Sequence, residues 1–312
     1  MTAMNRRNVL RILAAAGAGL AATRALAAAR GGPAAGTESM HTRRIPSSGE
    51  AVPVIGLGTW QTFDVGATPG EREPLAQVLR EFVALGGKLV DSSPMYGRSE
   101  QVLGDLAADL GLHDKLFVAT KVWTSGKSDG IAQMEDSMRK LRVRALDLMQ
   151  VHNLLDVESH LDTLQAWKRD GRVRYIGVTH YTAGAHDRVA AVISRHPVDF
   201  IQINYSVGER EAERRLLPLA RERGVAVIAN RPFAGGALFG RLRARPLPDW
   251  AAEIDCGSWA QLLLKFVVSH PALTCAIPAT SKPAHLRDNM RAGYGRMPDA
   301  ELRARIAAEA AR

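Results

Sequence analysis

Residues 88–91 read KLVD and residues 92–97 read SSPMYG, and these ten residues give the clearest indication of the fold class. A short apolar run ends at Asp91, and a turn-forming sequence then leads to Tyr96. Two later apolar runs end in the same way, the first at Lys121 and the second at His152. Runs that are apolar on both sides indicate parallel strands covered on both faces. The carboxyl ends of such strands form one rim of a barrel, which is where barrel active sites lie.

Eight runs of this kind alternate with segments in which apolar residues recur at helical spacing. The strand predictions are residues 54–58, 88–91, 117–121, 146–152, 175–179, 200–204, 225–229 and 273–278. Helices are predicted, among others, at residues 99–110, 133–141, 160–168, 211–222 and 259–269. This order predicts a single-domain α/β protein, a (β/α)8 TIM barrel over residues 43–312. Ser48 and Gly49, between two short extended segments, predict a hairpin that closes the bottom of the barrel.

Asp91, Tyr96, Lys121 and His152 predict a site that protonates an oxygen atom. A tyrosine with an ordinary pKa near ~10 is a poor acid at neutral pH, but a nearby ammonium lowers that pKa. We expect Lys121 to provide the ammonium, Asp91 to hold it, and His152 to hold a carbonyl oxygen. Each residue also has a structural alternative: a turn cap, an ion pair, a surface aromatic or a strand-end histidine. The set as a whole favours the acid half of a carbonyl reduction.

The chain resembles the aldo-keto reductase superfamily from about residue 43 to about residue 293, with the family's tetrad matched in order and approximate spacing. Three longer segments also match family motifs: GLGTW from residue 56, the stretch Asp91–Gly104, and IPATSKPAHLRDN from residue 277. The resemblance implies an NAD(P)H-dependent oxidoreductase that reduces an aldehyde or ketone to an alcohol. Tyr96 would be its general acid.

Nicotinamide binding is expected at the strand ends. Gly56 and Gly58 are followed by Gln61 where a third glycine would stand, so they do not form the phosphate-binding fingerprint of doubly wound folds. The resemblance implies that Thr179, His180 and Gln202 hold the carboxamide. The other residues expected at the cofactor are Thr59, Trp60, Asn230, Arg231, Pro232, Phe233, Pro278, Thr280, Ser281, Lys282, Arg287 and Asn289.

Two departures from the family pattern concern the cofactor. Asn230 stands where a tyrosine often stacks on the nicotinamide, and Ala279 and His285 replace the lysine and arginine that grip the 2′-phosphate of NADP. We therefore expect only a narrow preference for NADP(H) over NAD(H).

Trp60, Trp123 and Asn153 are expected at the substrate pocket, with core packing as the alternative for Trp123. Asn153 stands where members of the family commonly have a tryptophan, so the resemblance does not imply a sugar or steroid specificity for this chain. The following loop is short, which implies an open pocket. The loop over residues 234–257 is expected to close over cofactor or substrate.

The amino terminus predicts export. Arg6 and Arg7 precede the apolar stretch 12–22, which is too short to span a bilayer. This pattern is similar to a twin-arginine signal peptide over residues 1–29, cleaved near Ala27, although Asn5 and Val9 depart from the usual motif. An uncleaved basic arm is the alternative. Residues 30–42 are expected to form a flexible tether, and the protein is expected in the periplasm, with the twin-arginine machinery as a partner.

Composition limits the other partners. The formal charge of +9 is spread along the chain without basic runs interleaved with aromatics, so nucleic acid is not an expected partner. No cysteine or histidine pair has metal-binding spacing, and Cys256 and Cys275 are expected as free thiols. We expect a monomer or weak oligomer that acts on a small carbonyl compound. A cofactor-occupied sensor or accessory subunit with little turnover, or an inactive exported barrel, are the alternatives.

Overall fold

The computed structural model describes residues 39–242 and 244–312. The predicted signal peptide and residues 30–38 of the predicted tether lie outside the described residues. At the end of that tether, Met40 is buried in the core, and the backbone N–H of His41 donates to the Gly293 carbonyl at 2.8 Å. The packed part of the chain therefore includes these two residues.

The barrel has eight parallel strands, each hydrogen-bonded to the next strand along the chain. An antiparallel pair, β1 (Thr42–Arg44) and β2 (Ala51–Pro53), precedes them. The barrel strands are β3 (Leu57–Gly58), β4 (Leu89–Asp91), β5 (Phe117–Val122), β6 (Leu146–His152), β7 (Val173–Thr179), β8 (Phe200–Asn204), β9 (Ala226–Asn230) and β10 (Cys275–Ala276). Parallel bridges from Ile55 to Ala276 and from Gly58 to Ala279 join the first strand to the last. The predicted (β/α)8 barrel is confirmed.

Helices surround the strands. They are α1 (Pro69–Ala84), α2 (Ser99–Asp109), α3 (Lys127–Leu141), α4 (Val157–Arg169), α5 (His186–Arg195), α6 (Leu216–Glu222), α7 (Ala237–Leu242), α8 (Trp259–Val268), α9 (Pro283–Arg291) and α10 (Ala300–Ala311). The single helix predicted over residues 211–222 is wrong, because a 3₁₀ turn at Glu211–Arg214 is separated from α6 by the non-helical Arg215. Pro218 explains the break, since within a continuous helix its ring would clash with the Arg214 carbonyl.

The predicted hairpin closes the amino-terminal end of the barrel. Gly49 turns the chain with a φ of 77°, a conformation that favours glycine. Ile45 and Val52 are fully buried and belong to one apolar cluster with Leu89 and Phe200 from the barrel strands. With this end filled by side chains, the open end of the barrel is the carboxyl rim.

Gly56 has a packing role at the barrel closure. A Cβ atom at this position would lie 2.7 Å from the Leu89 carbonyl oxygen and 3.0 Å from the sulfur of Cys275. No larger residue fits without moving a strand, so the approach of the first and last strands depends on this glycine.

Both cysteines are free, as predicted, and both are buried. Burial raises the pKa of Cys256 to about 11 and that of Cys275 further, so both thiols stay protonated at neutral pH. Within residues 39–242 and 244–312, no helix is long and apolar enough to cross a bilayer. The same residues contain no group of three or more His, Cys, Asp or Glu side chains arranged to hold a metal ion.

Candidate active site

Three neighbouring strands bring the predicted tetrad together at the carboxyl rim. Asp91 ends β4, Lys121 lies near the end of β5, and His152 ends β6. Tyr96 lies in the turn after β4, where its backbone N–H donates to the Ser93 carbonyl at 3.0 Å. Because parallel strands end at the same edge, these four side chains face a common space.

The centre of the site is a buried ion pair. Lys121 Nζ lies 2.6 Å from Asp91 Oδ2 and donates to the Ser92 carbonyl, also at 2.6 Å. The lysine side chain is 0% exposed. Burial alone lowers the pKa of Lys121, but Asp91 and Tyr96 more than offset this, so its pKa is raised above the ordinary value. Lys121 is therefore a fixed ammonium at neutral pH.

Two glutamine amides complete the coordination of Asp91. Gln202 Nε2 donates to Asp91 Oδ1 at 2.7 Å, and Gln150 Nε2 donates to the same oxygen at 3.2 Å. Both glutamines are buried. Each carboxylate oxygen thus has a donor, which a buried charge requires.

Tyr96 lies beside the lysine. Lys121 Nζ is 5.0 Å from the centroid of the tyrosine ring. Burial raises the pKa of Tyr96, and this outweighs the lowering caused by the Lys121 charge and hydrogen bond. Lys121 thus lowers this pKa as predicted, but burial, which the prediction did not weigh, is the larger effect. Tyr96 holds its proton at neutral pH.

His152 is a neutral imidazole. Its Nδ1 lies 3.1 Å from Ser93 Oγ, and its ring centroid is 6.0 Å from that of Tyr96 and 6.3 Å from that of Trp123. Burial lowers the pKa of His152 to about 2, helped by the charges of Lys121 and His180. Without a charge of its own, it is suited to hydrogen bonding with a neutral carbonyl.

The residues predicted to hold a carboxamide lie at the end of β7 (Thr179), just after it (His180) and within β8 (Gln202), next to Asn230 at the end of β9. Thr179 Oγ1 donates to Gln202 Oε1 at 3.4 Å, and Asn230 Nδ2 donates to the His180 carbonyl at 3.2 Å. His180 Nδ1 accepts from the backbone N–H of Tyr181 at 3.0 Å. Asn230 Oδ1 is buried without a partner among the described residues. The structure therefore brings these amide, hydroxyl and imidazole groups together.

Arg231 begins the segment after β9 in a strained conformation. Its φ is 50°, which is uncommon outside glycine. Its Nε is buried and has no partner within the described chain, and its guanidinium is 3.9 Å from Glu209 at the closest approach. Pro232 is buried and Phe233 partly buried, with the phenyl ring packed on Phe239. A partly buried cation with one long ion pair is suited to binding an anion.

The start of α9 carries the remaining cofactor candidates. Thr280 is buried, and its Oγ1 accepts from the Lys282 N–H at 3.1 Å; Lys282 itself is exposed. Ser281 is partly exposed, whereas Pro278 and Asn289 are buried. Arg287 instead forms an ion pair with Glu81 at 2.8 Å. Lys282 thus presents a cation at this helix end.

Two of the candidate substrate residues, Trp123 and Asn153, adjoin His152 of the tetrad, and Trp60 follows strand β3. Trp60 and Trp123 are 45% and 40% exposed, so core packing, the alternative considered for Trp123, is wrong. Thr59, next to Trp60, is buried and donates to the Asp91 carbonyl at 3.0 Å. Asn153 has a φ of 56° directly after His152, and its Oδ1 is buried without a partner in the described chain.

The predicted closing loop over residues 234–257 contains helix α7 and a 3₁₀ helix at Asp249–Ile254. Arg245 links the middle of this loop to helix α10, because the Arg245 guanidinium donates to the Glu309 carbonyl at 2.9 Å. Trp259 Nε1 donates to the Arg245 carbonyl at 3.0 Å.

Sequence reasoning missed Gln150 and Ser93. Gln150 had a detectable signal, since it lies two positions before His152 in a buried strand and so faces the same side. Ser93 had none, because a serine in a polar turn gives no indication that its hydroxyl meets a histidine of another strand. Glu100 was also missed: it is buried, with Ser137 Oγ donating to it at 3.1 Å.

These features define an oxidoreductase built on a (β/α)8 barrel. Residues 54–307 match the aldo/keto reductase family, and the chain belongs to that family. It is similar to methylglyoxal reductase YeaE of Escherichia coli K12, with 29% identity over 271 residues, covering 84% of this chain and 93% of the relative.

Two solved structures of aldo-keto reductases are similar to this chain. A Klebsiella pneumoniae aldo-keto reductase in complex with NADPH is 26% identical, with a TM-score of 0.70 over 86% of this chain and 95% of that one. Aldo-keto reductase AKR11C1 of Bacillus halodurans, at 22% identity, has a TM-score of 0.71 over 88% and 97% of the two chains. The second likeness supports the fold alone.

Proposed function

We propose that this protein reduces an aldehyde or ketone to an alcohol, with a hydride from NADPH or NADH and a proton from Tyr96. One observation carries the proposal: the buried ammonium of Lys121 is fixed by Asp91 and the Ser92 carbonyl beside the tyrosine. A related methylglyoxal reductase and a similar structure with bound NADPH support it.

The residues at the ends of β7, β8 and β9 fit a nicotinamide cofactor. Thr179, His180, Gln202 and Asn230 offer amide, imidazole and hydroxyl groups for a carboxamide, and the oxygen of Asn230 is buried and unpaired. Arg231 and Lys282 offer cations for phosphate groups. When bound, the reduced nicotinamide supplies the hydride that forms the new C–H bond. With Ala279 and His285 at the 2′-phosphate positions, we keep a narrow preference for NADP(H).

Proton transfer follows from the electrostatics of the tetrad. Tyr96 is protonated in the resting site because burial raises its pKa. As the carbonyl π electrons move to oxygen, that oxygen takes the Tyr96 proton, and the Lys121 ammonium stabilises the phenolate that remains. Asp91 keeps the ammonium in place, and His152 donates a hydrogen bond to the same carbonyl oxygen. The phenolate then regains a proton from water.

The mouth of the site favours carbonyl compounds with an apolar part. Trp60 and Trp123 present exposed indole rings, that of Trp123 beside His152, and such rings pack on apolar and aromatic groups. We therefore include both small dicarbonyl compounds and aromatic aldehydes among the candidate substrates.

We also propose that residues 1–29 direct export of the folded protein to the periplasm, since the paired arginines and short apolar stretch support this. Replacing Arg6 and Arg7 with lysine should retain the protein in the cytoplasm. Cell fractionation measures the outcome, and unchanged export would contradict the twin-arginine route.

A direct test of the reductase combines binding with turnover. NADPH and NADH are titrated separately by nicotinamide fluorescence, and a nitrobenzaldehyde or methylglyoxal is then added while cofactor oxidation is followed. Tyr96→Phe should lower kcat by roughly 10²–10⁴-fold with little change in cofactor affinity. Tyr294→Phe is the matched control, because this tyrosine hydroxyl bonds the Leu85 carbonyl instead. A Tyr96→Phe variant that keeps most of its kcat would refute the assignment.

A further inference from the structure

We infer that Ser93 is a positioning residue that fixes the tautomer of His152, so that Nε2 carries the proton facing the substrate. The inference rests on the proposed function for the role of His152. The tautomer itself is a property of the resting protein and can be measured without turnover.

The two side chains meet inside the rim. Ser93 Oγ is 3.1 Å from His152 Nδ1, and the serine is 0% and the histidine 5% exposed. The backbone N–H of Met95 approaches the same Oγ at 3.4 Å. Within residues 39–242 and 244–312, Ser93 Oγ has these two hydrogen-bond partners.

Hydrogen-bond capacity decides which atom donates. A serine hydroxyl has one hydrogen to donate and two lone pairs to accept with. If Nδ1 carried the proton, Oγ would accept from both the ring and Met95, and the buried serine hydrogen would have no acceptor. Leaving a buried donor unpaired costs about 1–3 kcal/mol. If Ser93 instead donates to Nδ1 and accepts from Met95, the serine hydrogen, the serine oxygen and Nδ1 are all paired.

That arrangement places the ring proton on Nε2. The imidazole is neutral, because burial and the Lys121 charge hold its pKa near 2, so it carries one ring proton. Nε2 lies on the other side of the ring from Ser93, and no described residue forms a hydrogen bond with it. His152 is then a ready donor to a carbonyl oxygen. With the other tautomer it would present a lone pair and repel that oxygen.

The effect of the Ser93 hydroxyl can be tested separately from that of the Ser93 backbone. Ser93 also holds Tyr96 through its backbone carbonyl, and Ser93→Ala leaves that contact in place. Ser93→Thr keeps a hydroxyl and serves as the conservative rescue. Ser137→Ala is the matched control, since it removes another buried hydroxyl, one that bonds Glu100.

The tautomer is read from ¹⁵N chemical shifts of histidine-labelled protein, with the His152 signals assigned by their loss in His152→Gln. We expect protonated Nε2 and unprotonated Nδ1 in the wild type and in Ser93→Thr. In Ser93→Ala we expect a mixture of tautomers and a kcat about tenfold lower, the loss that corresponds to about 1.4 kcal/mol. Cofactor affinity should not change.

Each outcome decides the inference. Protonated Nδ1 in the wild type overturns it, even if Ser93→Ala does not fold. A Ser93→Ala variant that keeps both the Nε2 tautomer and the rate also overturns it. If the wild type shows the Nε2 tautomer, lost in Ser93→Ala, but consumes no NADPH or NADH with any carbonyl tested, the tautomer assignment stands and the reductase proposal fails.

Discussion

The two halves of the carboxyl rim are built differently. At the ends of β4, β5 and β6, the lysine and aspartate are buried and each has hydrogen-bond partners within the protein. At the end of β9, Asn230 Oδ1 and Arg231 Nε are buried without partners in the described chain, and Arg231 has a strained backbone. The ion-pair network of the first half is complete, although Asn153 Oδ1 just after β6 also lacks a partner in the described chain, whereas the second half centres on two unpaired buried atoms.

This difference teaches where each function is placed. Proton transfer needs groups fixed before the reaction, because preorganised charges cost no rearrangement when negative charge develops. Binding a large anionic cofactor needs donors that are still free to pair with it. Substitutions at Lys121, Asp91, Arg231 and His152 test this division of the rim.

The largest effect on stability and activity is expected from breaking the Lys121–Asp91 ion pair. Lys121→Met leaves the Asp91 charge buried without its cation, so the free energy of unfolding should fall by about 3–5 kcal/mol. Carbonyl reduction should also be lost. Urea denaturation and a turnover assay with NADPH measure the two effects.

A double variant separates stability from catalysis. Asp91→Asn combined with Lys121→Met removes both charges, which is often nearly neutral for a buried pair. We expect most of the stability to return while the activity stays absent. If the single variant were as stable as the wild type, the ion pair would not be the structural centre of this half.

Much of this fold could be predicted because the barrel strands have a strong local signal. Strand β6 and strand β8 have the predicted bounds. The first and last barrel strands are only two residues long, shorter than predicted. Their ends depend on how the barrel closes around Gly56, and that is a tertiary contact without a local pattern. The break at Arg215 in the helix expected over residues 211–222 could have been predicted from the presence of Pro218.

The tetrad was predictable because each member follows an apolar run, and strand ends meet at one rim. Electrostatics was less predictable. The pKa of Tyr96 depends on the balance between burial and the Lys121 charge, and burial cannot be read from residue types. The Ser93 contact depends on a turn conformation and on the register of two strands, so the sequence held no sign of it.

A smaller effect, on cofactor affinity, is expected from replacing Arg231 after β9. Arg231→Ala removes a cation predicted to bind cofactor phosphate, and such charged hydrogen bonds contribute about 1.5–3 kcal/mol. The dissociation constant for NADPH should therefore rise roughly tenfold or more. The kcat at saturating cofactor should change little. Fluorescence titration and saturation kinetics measure these values.

Arg139→Ala is the control for the loss of a positive charge, because Arg139 is paired with Asp136 on the surface of α3. An unchanged NADPH affinity in Arg231→Ala, together with a large loss of stability, would show that the strained segment serves folding. The two halves of the rim would then not differ in the way we propose.

The smallest expected effect is the dependence of stability on pH that His152 creates. Its pKa is about 2 in the folded protein and 6.5 when unperturbed. Between these values the unfolded chain binds a proton that the folded protein does not, so stability falls as the pH drops below 6.5. The contribution is at most about 1.4 kcal/mol per pH unit. His152→Gln lacks this proton, so its unfolding free energy should fall less than that of the wild type between about pH 7 and pH 5. If the unfolding free energies of the wild type and His152→Gln fell equally between pH 7 and pH 5, His152 would also take up a proton in the folded protein. A charged His152 would not fit a half of the rim whose buried charges are already paired.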